Sequence, residues 1–147
     1  PISNRCWKKR KENMNEPAEL KTFLEQWGSD SNGCRQIFIQ FKSHVEKHDD
    51  ISFDFVARPG VTYSLRATRN GQKLNLFVLM DVIDEDPRWL SVCFYGDMIT
   101  DPEEKGDLVP EGLMGEDGYC FDVDENDPEL IEYVCRRLDE AYENSLK

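Results

Sequence analysis

The sequence predicts an α+β domain, with an antiparallel meander sheet of about five strands carrying two N-terminal helices and one C-terminal helix. Three observations point there. Apolar residues recur at helical spacing before Asp49 and again after Asp127, they alternate with polar ones between Ile51 and Tyr95, and Asn70-Gly71 stands between two alternating runs. At 147 residues the chain suits one domain with enough interior to fold without staples.

Residues 1–14 form a basic tail holding Arg5, Lys8, Lys9, Arg10 and Lys11, and a single domain spans 15–147. Asn15 is the expected N-cap of the first helix and Pro17 sits in its first turn. Leu20, Phe23, Leu24 and Trp27 draw its apolar side, and Gly28 ends it. A second helix starts after Asp30 or Ser31. Cys34, Ile37, Phe38, Phe41 and Val45 follow offsets of 0, 3, 4, 7 and 11 down one side, and it stops near His48-Asp49.

Ile51, Phe53 and Phe55 alternate with Ser52 and Asp54 as a half-buried strand does, and Pro59-Gly60 turns into the next strand. Asn-Gly favours a two-residue type I′ hairpin. That pairing sets Val61 opposite Met80, Tyr63 opposite Val78, Leu65 opposite Leu76 and Ala67 opposite Leu74. The strand Leu74–Ile83 is apolar on both sides at its centre, so both sheet faces are expected to be covered near it. If Asp84–Pro87 is a four-residue loop, Leu90, Val92 and Phe94 fall with Phe77 and Leu79, while Cys93 and Tyr95 fall with Val78 and Leu76. A bulge there reverses the assignment.

Residues 96–118 read as an acidic, irregular connection rich in Gly and Pro. Tyr119 to Val123 follows as a short strand. Asp127 then caps a terminal helix with Pro128 at its first position, and Leu130, Ile131, Val134, Leu138, Ala141 and Tyr142 mark its buried side.

Composition narrows the function classes. The net charge is −12, and the excess is local: residues 95–147 hold 17 acidic side chains against Lys105, Arg136, Arg137 and Lys147. Such a surface repels nucleic acid backbones and anionic membranes. No apolar run approaches the ~20 residues of a membrane helix, and no apolar segment follows the basic N-terminus as a signal peptide requires. The expected compartment is the cytoplasm. The odd set Cys6, Cys34, Cys93, Cys120 and Cys135 lacks a C-x-x-C pair and argues against a disulfide framework.

No spacing reaches the specificity of a catalytic or cofactor motif, so no catalytic residue, cofactor or metal ligand is assigned. His44 and His48 lie one helical turn apart, but Glu46 is misplaced for a zincin, and both lie off the apolar stripe in water near a helix end. Asp122, Asp124 and Asn126 match the start of an EF-hand loop, but Asp127 stands where Gly is needed and Tyr133 where Glu is needed. Asp101, Glu103, Glu104, Asp107, Glu116 and Asp117 leave weak divalent-cation binding as a minor alternative.

The surface that stands out is a mixed sheet face carrying Thr62, Ser64, Arg66, Asn75 and Asp81 beside Phe77 and Leu79. An apolar centre with a polar rim builds both small-molecule pockets and dimer seams. Arg66 there either anchors an anion or pairs with Asp81.

The strings ISFDFVARPGVTYSLRA, LFVLMDVID, RWLSVCFYGDMITDPEEKGDLVPEGLMGEDGYCFDVD and DPELIEYVCRRLDEAYE cover most of residues 51–145 and resemble uncharacterised bacterial proteins of no assigned function. The order of helix, antiparallel strands and terminal helix is similar to small TATA-binding-protein-like domains of unknown function. Neither resemblance implies an activity or transfers a functional residue. The expectation is a non-enzymatic cytoplasmic binding or regulatory module, a homodimer through the mixed face. The alternative is a ligand pocket between sheet and helices, with an enzyme or a cation-binding protein behind it.

Overall fold

A computed structural model describes residues 16–147; the basic tail, Asn15 and Cys6 lie outside the described residues. The elements run α1 (Ala18–Glu25), α2 (Cys34–Glu46), β1 (Ile51–Arg58), β2 (Thr62–Arg69), β3 (Val78–Ile83), β4 (Trp89–Tyr95), β5 (Asp107–Leu113), β6 (Glu116–Val123) and α3 (Pro128–Asn144). The six strands form one antiparallel sheet in the order β1-β2-β3-β4-β6-β5. The sixth strand comes from the stretch expected to be irregular: β5 and the start of β6 form a hairpin there. Their side chains are almost all exposed, so no apolar alternation marks them.

Cross-strand register builds the core. Phe55, Leu65, Met80, Val92 and Phe121 lie in one line across five strands, and all are buried. This is the helix face of the sheet. Phe23 of α1 meets Phe55 with ring centroids 5.6 Å apart, Tyr133 of α3 meets Phe121 at 5.9 Å, and the Cys34 thiol at the start of α2 lies 3.5 Å from the Val123 carbonyl oxygen. α1 is shorter than its stripe suggests, since Trp27 lies beyond it and Gly28 has a φ of 85°. α2 begins after Gly33, three residues later than Asp30, whose carboxylate accepts from the Arg35 N–H at 2.8 Å. In α3 the expected cap holds: Asp127 accepts from the Leu130 N–H.

The hairpin register differs from the expectation by four residues. Leu65 pairs with Met80, Ala67 with Val78 and Tyr63 with Val82. Gly71 has a φ of 93° while Asn70 does not enter the left-handed region, so this is not a type I′ turn, which needs positive φ at both centres. The connection runs on to Phe77 because Gln72 stands in for a strand. Its side chain accepts from the Arg69 N–H at 2.7 Å and donates to the carbonyls of Leu74 and Leu76 at 2.9 and 2.8 Å. Leu74, expected opposite Ala67, is 42% exposed. A shift of four is even, so it leaves every β2 and β3 side chain on its expected face. The β3–β4 connection holds five residues, Asp84 to Arg88. This puts Leu90 and Val92 with Val82 and Met80, and Cys93 with Leu79, the reverse of the four-residue reading.

Candidate functional site

The second sheet face carries no helix among the described residues. Two lines cross it. Val56, Ser64, Asp81, Ser91 and Asp122 form one, and Asp54, Arg66, Leu79, Cys93, Cys120 and Asp107 form the other. Thr62, Ser64, Arg66 and Asp81 stand on this face, as expected from their alternation. Ser64 and Cys93 are nonetheless buried, shielded by their longer neighbours.

Two members of the expected site are elsewhere. Phe77 lies before β3 and is buried, its ring edge-on to Tyr142 of α3 at 5.8 Å, so it belongs to the core. Asn75 lies in the connection, where its carbonyl accepts from the Thr68 hydroxyl at 2.8 Å. The long connection explains both departures, because it frees the chain from strand alternation.

Arg66 and Asp81 do not pair. Asp81 accepts a hydrogen bond from the Ser64 hydroxyl, and Thr62 accepts from Arg58 at 3.0 Å. The Arg66 Nε is buried with no hydrogen-bond partner among the described residues. Burial pushes the Asp81 carboxyl above the usual carboxylate range, against the pull of Ser64 and of the Arg58 and Arg66 charges. An unmatched donor and a costly carboxylate thus sit one diagonal step apart.

Cys93 and Cys120 face each other across β4 and β6 with Cα atoms 4.1 Å apart and are joined as a disulfide, contrary to the expectation from their odd number. Spacing along the chain could not show this, because the pairing depends on strands 27 residues apart. The remaining described thiols, Cys34 and Cys135, are both pushed up to about 11, chiefly by burial. Neither is a thiolate at neutral pH, and the thiolate is the nucleophile.

The histidines are not in open water. His44 Nε2 lies 3.0 Å from Asp139 of α3, with Lys47 Nζ 2.7 Å from the same oxygen. His48 stacks flat on Tyr142 with centroids 3.6 Å apart, and burial, then Lys47, lowers its pKa. On the other side of that ring the Arg69 guanidinium sits at 4.1 Å, and the Tyr142 hydroxyl donates to Asp50 at 2.6 Å. The set clamps α3 to α2 and to the β1–β2 end of the sheet. No group of three or more His, Cys, Asp or Glu suited to a metal ion occurs among the described residues. Asp97, Glu111, Glu116 and Asp117 rim a hollow of about 290 Å³, where Asp117 accepts from the Glu111 N–H at 2.9 Å.

A cleft of about 450 Å³ opens between α1 and the β1–β2 hairpin, lined by Thr22, Phe23, Phe55, Ala57, Tyr63 and Arg88 with Glu19 at its edge. It lies between helix and sheet, where a pocket was the alternative expectation, but Arg66 is on the opposite face. Phe23 stacks on Tyr63 at 4.2 Å, and the Arg88 guanidinium lies 5.2, 5.4 and 5.3 Å from the Phe23, Trp27 and Tyr63 rings. Arg88 also donates to Asp84 at 3.0 Å and to the Trp27 carbonyl at 3.1 Å. The Gly60 N–H, and after it Arg88, holds the Asp84 carboxyl below its usual range. Sequence reasoning passed over these residues. The available signals were the Asp84/Arg88 spacing and the strand alternation that puts Phe55 on the helix side.

No helix among the described residues is long and apolar enough to cross a membrane. Comparisons with protein-family models, with curated proteins and with solved structures find no match.

Proposed function

We propose that this chain is a non-enzymatic, cytoplasmic binding module that pairs with a second copy of itself through the sheet face opposite the helices. The observation that carries the reading is Arg66, whose Nε has no hydrogen-bond partner among the described residues, on the face opposite the helices and one diagonal step from Asp81. A two-fold axis through this face brings Arg66 of each copy to an acidic side chain of the other. A donor and an acceptor on one patch are the self-complementarity that an isologous interface demands. Leu79, opposite Arg66 and partly exposed, supplies apolar area beside these polar groups. The acids Asp54, Asp107 and Asp122 on the same face disfavour a nucleic acid partner. In a reducing cytoplasm Cys93 and Cys120 form a dithiol, and the proposed contacts hold in either state.

Sedimentation equilibrium tests the reading. The expected mass is twice 17.2 kDa. Leu79→Asp and Arg66→Ala each weaken association by more than about tenfold, since both sit at the centre of the patch. A monomer at every soluble concentration, or a dimer indifferent to both substitutions, overturns it. Phe77 and Phe94 are unsuitable probes because both are core residues.

A further inference from the structure

The two edges of the sheet are built differently. At one edge β5 breaks register between Val109 and Leu113, carries Pro110, and holds Glu111 at a φ of 55°, features that stop a further strand from pairing. At the other edge β1 is matched to β2 residue by residue from Ile51↔Arg69 to Arg58↔Thr62, with no Pro, Gly or bulge. Outside that ladder, the only backbone hydrogen bond of residues 51–58 among the described residues is the turn bond from the Val61 N–H to the Arg58 carbonyl. Among the described residues, the outward N–H and C=O groups of β1 therefore present an unpaired template.

The cleft under α1 adjoins this same edge, since Phe55 and Ala57 of β1 line it. A strand added to β1 places alternate side chains on the helix face, beside Phe53, Phe55 and Ala57. Ala57 is small and exposed, so the side chain opposite it has room to reach the aromatic floor of Phe23, Phe55 and Tyr63. The free edge thus supplies main-chain hydrogen bonds and the cleft supplies side-chain selection, the two parts of strand-addition recognition.

We infer that β1 captures an extended peptide segment of a partner protein, paired antiparallel and anchored by a large aromatic side chain in the α1 cleft. Charge along β1 dictates the rest of the segment. Asp54 and Arg58 are exposed on the opposite face, so the position facing Arg58 is acidic and the position facing Asp54 is basic. Reading antiparallel, the residues opposite Arg58, Ala57, Val56, Phe55 and Asp54 follow in that order. The motif is acidic, aromatic, β-branched, apolar, basic.

The probe is the capped heptapeptide Thr-Glu-Trp-Val-Val-Lys-Thr, titrated into the full chain and followed by amide hydrogen exchange and tryptophan fluorescence. Exchange is expected to slow at amides within residues 51–58 and not at β5. Swapping Glu and Lys in the peptide weakens binding roughly tenfold, from two attractive pairs turned repulsive. Asp54→Lys improves the swapped peptide relative to the original, and Ala57→Trp, which fills the cleft mouth, lowers affinity at least tenfold for both. Unchanged exchange at 51–58 overturns the inference. So does equal binding of a peptide with Pro in place of the second Val, whose N–H meets the outward Phe55 carbonyl in an added strand; that result signals a small-ligand cleft without strand addition. Protection of 51–58 by concentrating the protein alone also overturns it, by assigning the edge to a second copy. Leu79→Asp leaves peptide binding unchanged, which separates this result from the dimer through the open face.

Discussion

Replacing Arg88 by Ala removes a group held by three kinds of contact, and the structure allows its cost to be worked out. These are a bond to Asp84 within its own connection, a bond to the Trp27 carbonyl just past α1, and packing on the Phe23, Trp27 and Tyr63 rings. The hydrogen bond to Asp84 spans 3.0 Å, with each side chain only about 20% exposed. A charged bond of that kind is worth about 1.5–3 kcal/mol when buried and less where water reaches it, so about 1–1.5 kcal/mol applies here. The bond to the Trp27 carbonyl adds roughly 1 kcal/mol. Contact with three aromatic rings adds about 1 kcal/mol more, since one cation shared among rings does not count three times. The expected loss is about 3 kcal/mol, measured as a lower urea midpoint at unchanged m, with Tm lower by roughly 6–12 °C.

The loss depends on pH. Asp84 has a depressed folded-state pKa, so its contribution is present above the unfolded value near about 3.9 and disappears as pH falls through the lower folded value. The gap between the native chain and Arg88→Ala is therefore full at pH 7 and narrows as pH falls below the unfolded value. Arg88→Lys restores charge without the planar fork and recovers less than half. A loss below about 0.5 kcal/mol, the range of an ordinary surface substitution, refutes the role assigned to these Arg88 contacts.

Three further outcomes follow from named contacts. Asp81→Asn raises stability at neutral pH: burial lifts the folded carboxyl pKa, so the group's contribution is greatest below the unfolded value and is lost as pH rises through the folded one. Urea midpoints for this variant vary less between about pH 4 and 7 than those of the native chain, and lower stability at pH 7 counts against the reading. Tyr142→Phe keeps the contacts with His48 and Arg69 but deletes the hydroxyl bond to Asp50, costing about 1–2 kcal/mol. Because that hydroxyl is the main cause of the lowered Asp50 pKa, an NMR titration shows the Asp50 carboxyl moving up. Gly106→Ala drives a Cβ to 2.9 Å from the fully buried Phe121 ring, and calorimetry detects a loss of about 1–3 kcal/mol. A neutral outcome means that the Asp101–Gly106 turn yields more readily than the close fit implies.

Residue alternation by itself separated the two faces of β2 and β3. Leu65 fell with Met80, and Ser64 and Arg66 with Asp81, because a strand repeats every two residues whatever its partner, while the faces of β4 and the side the helices cover were settled only in the folded chain. The same local signals located α2 and the Asp127 cap of α3, where capping and helical periodicity act within a few residues.

Register was decided by tertiary structure. The alternation is unchanged by a shift of four, and the choice fell to Gln72, which satisfies the carbonyls of Leu74 and Leu76, and to the burial of Leu76 and Phe77 in the core. The β5–β6 hairpin was illegible because exposed strands bury too little to leave a pattern. The meeting of Cys93 with Cys120, of His44 with Asp139 and of Arg88 with Phe23 each joins residues far apart in sequence. Such contacts exist only once the sheet order and the helix positions are set, so the uncovered face, the free edge of β1 and the α1 cleft are properties of the folded chain.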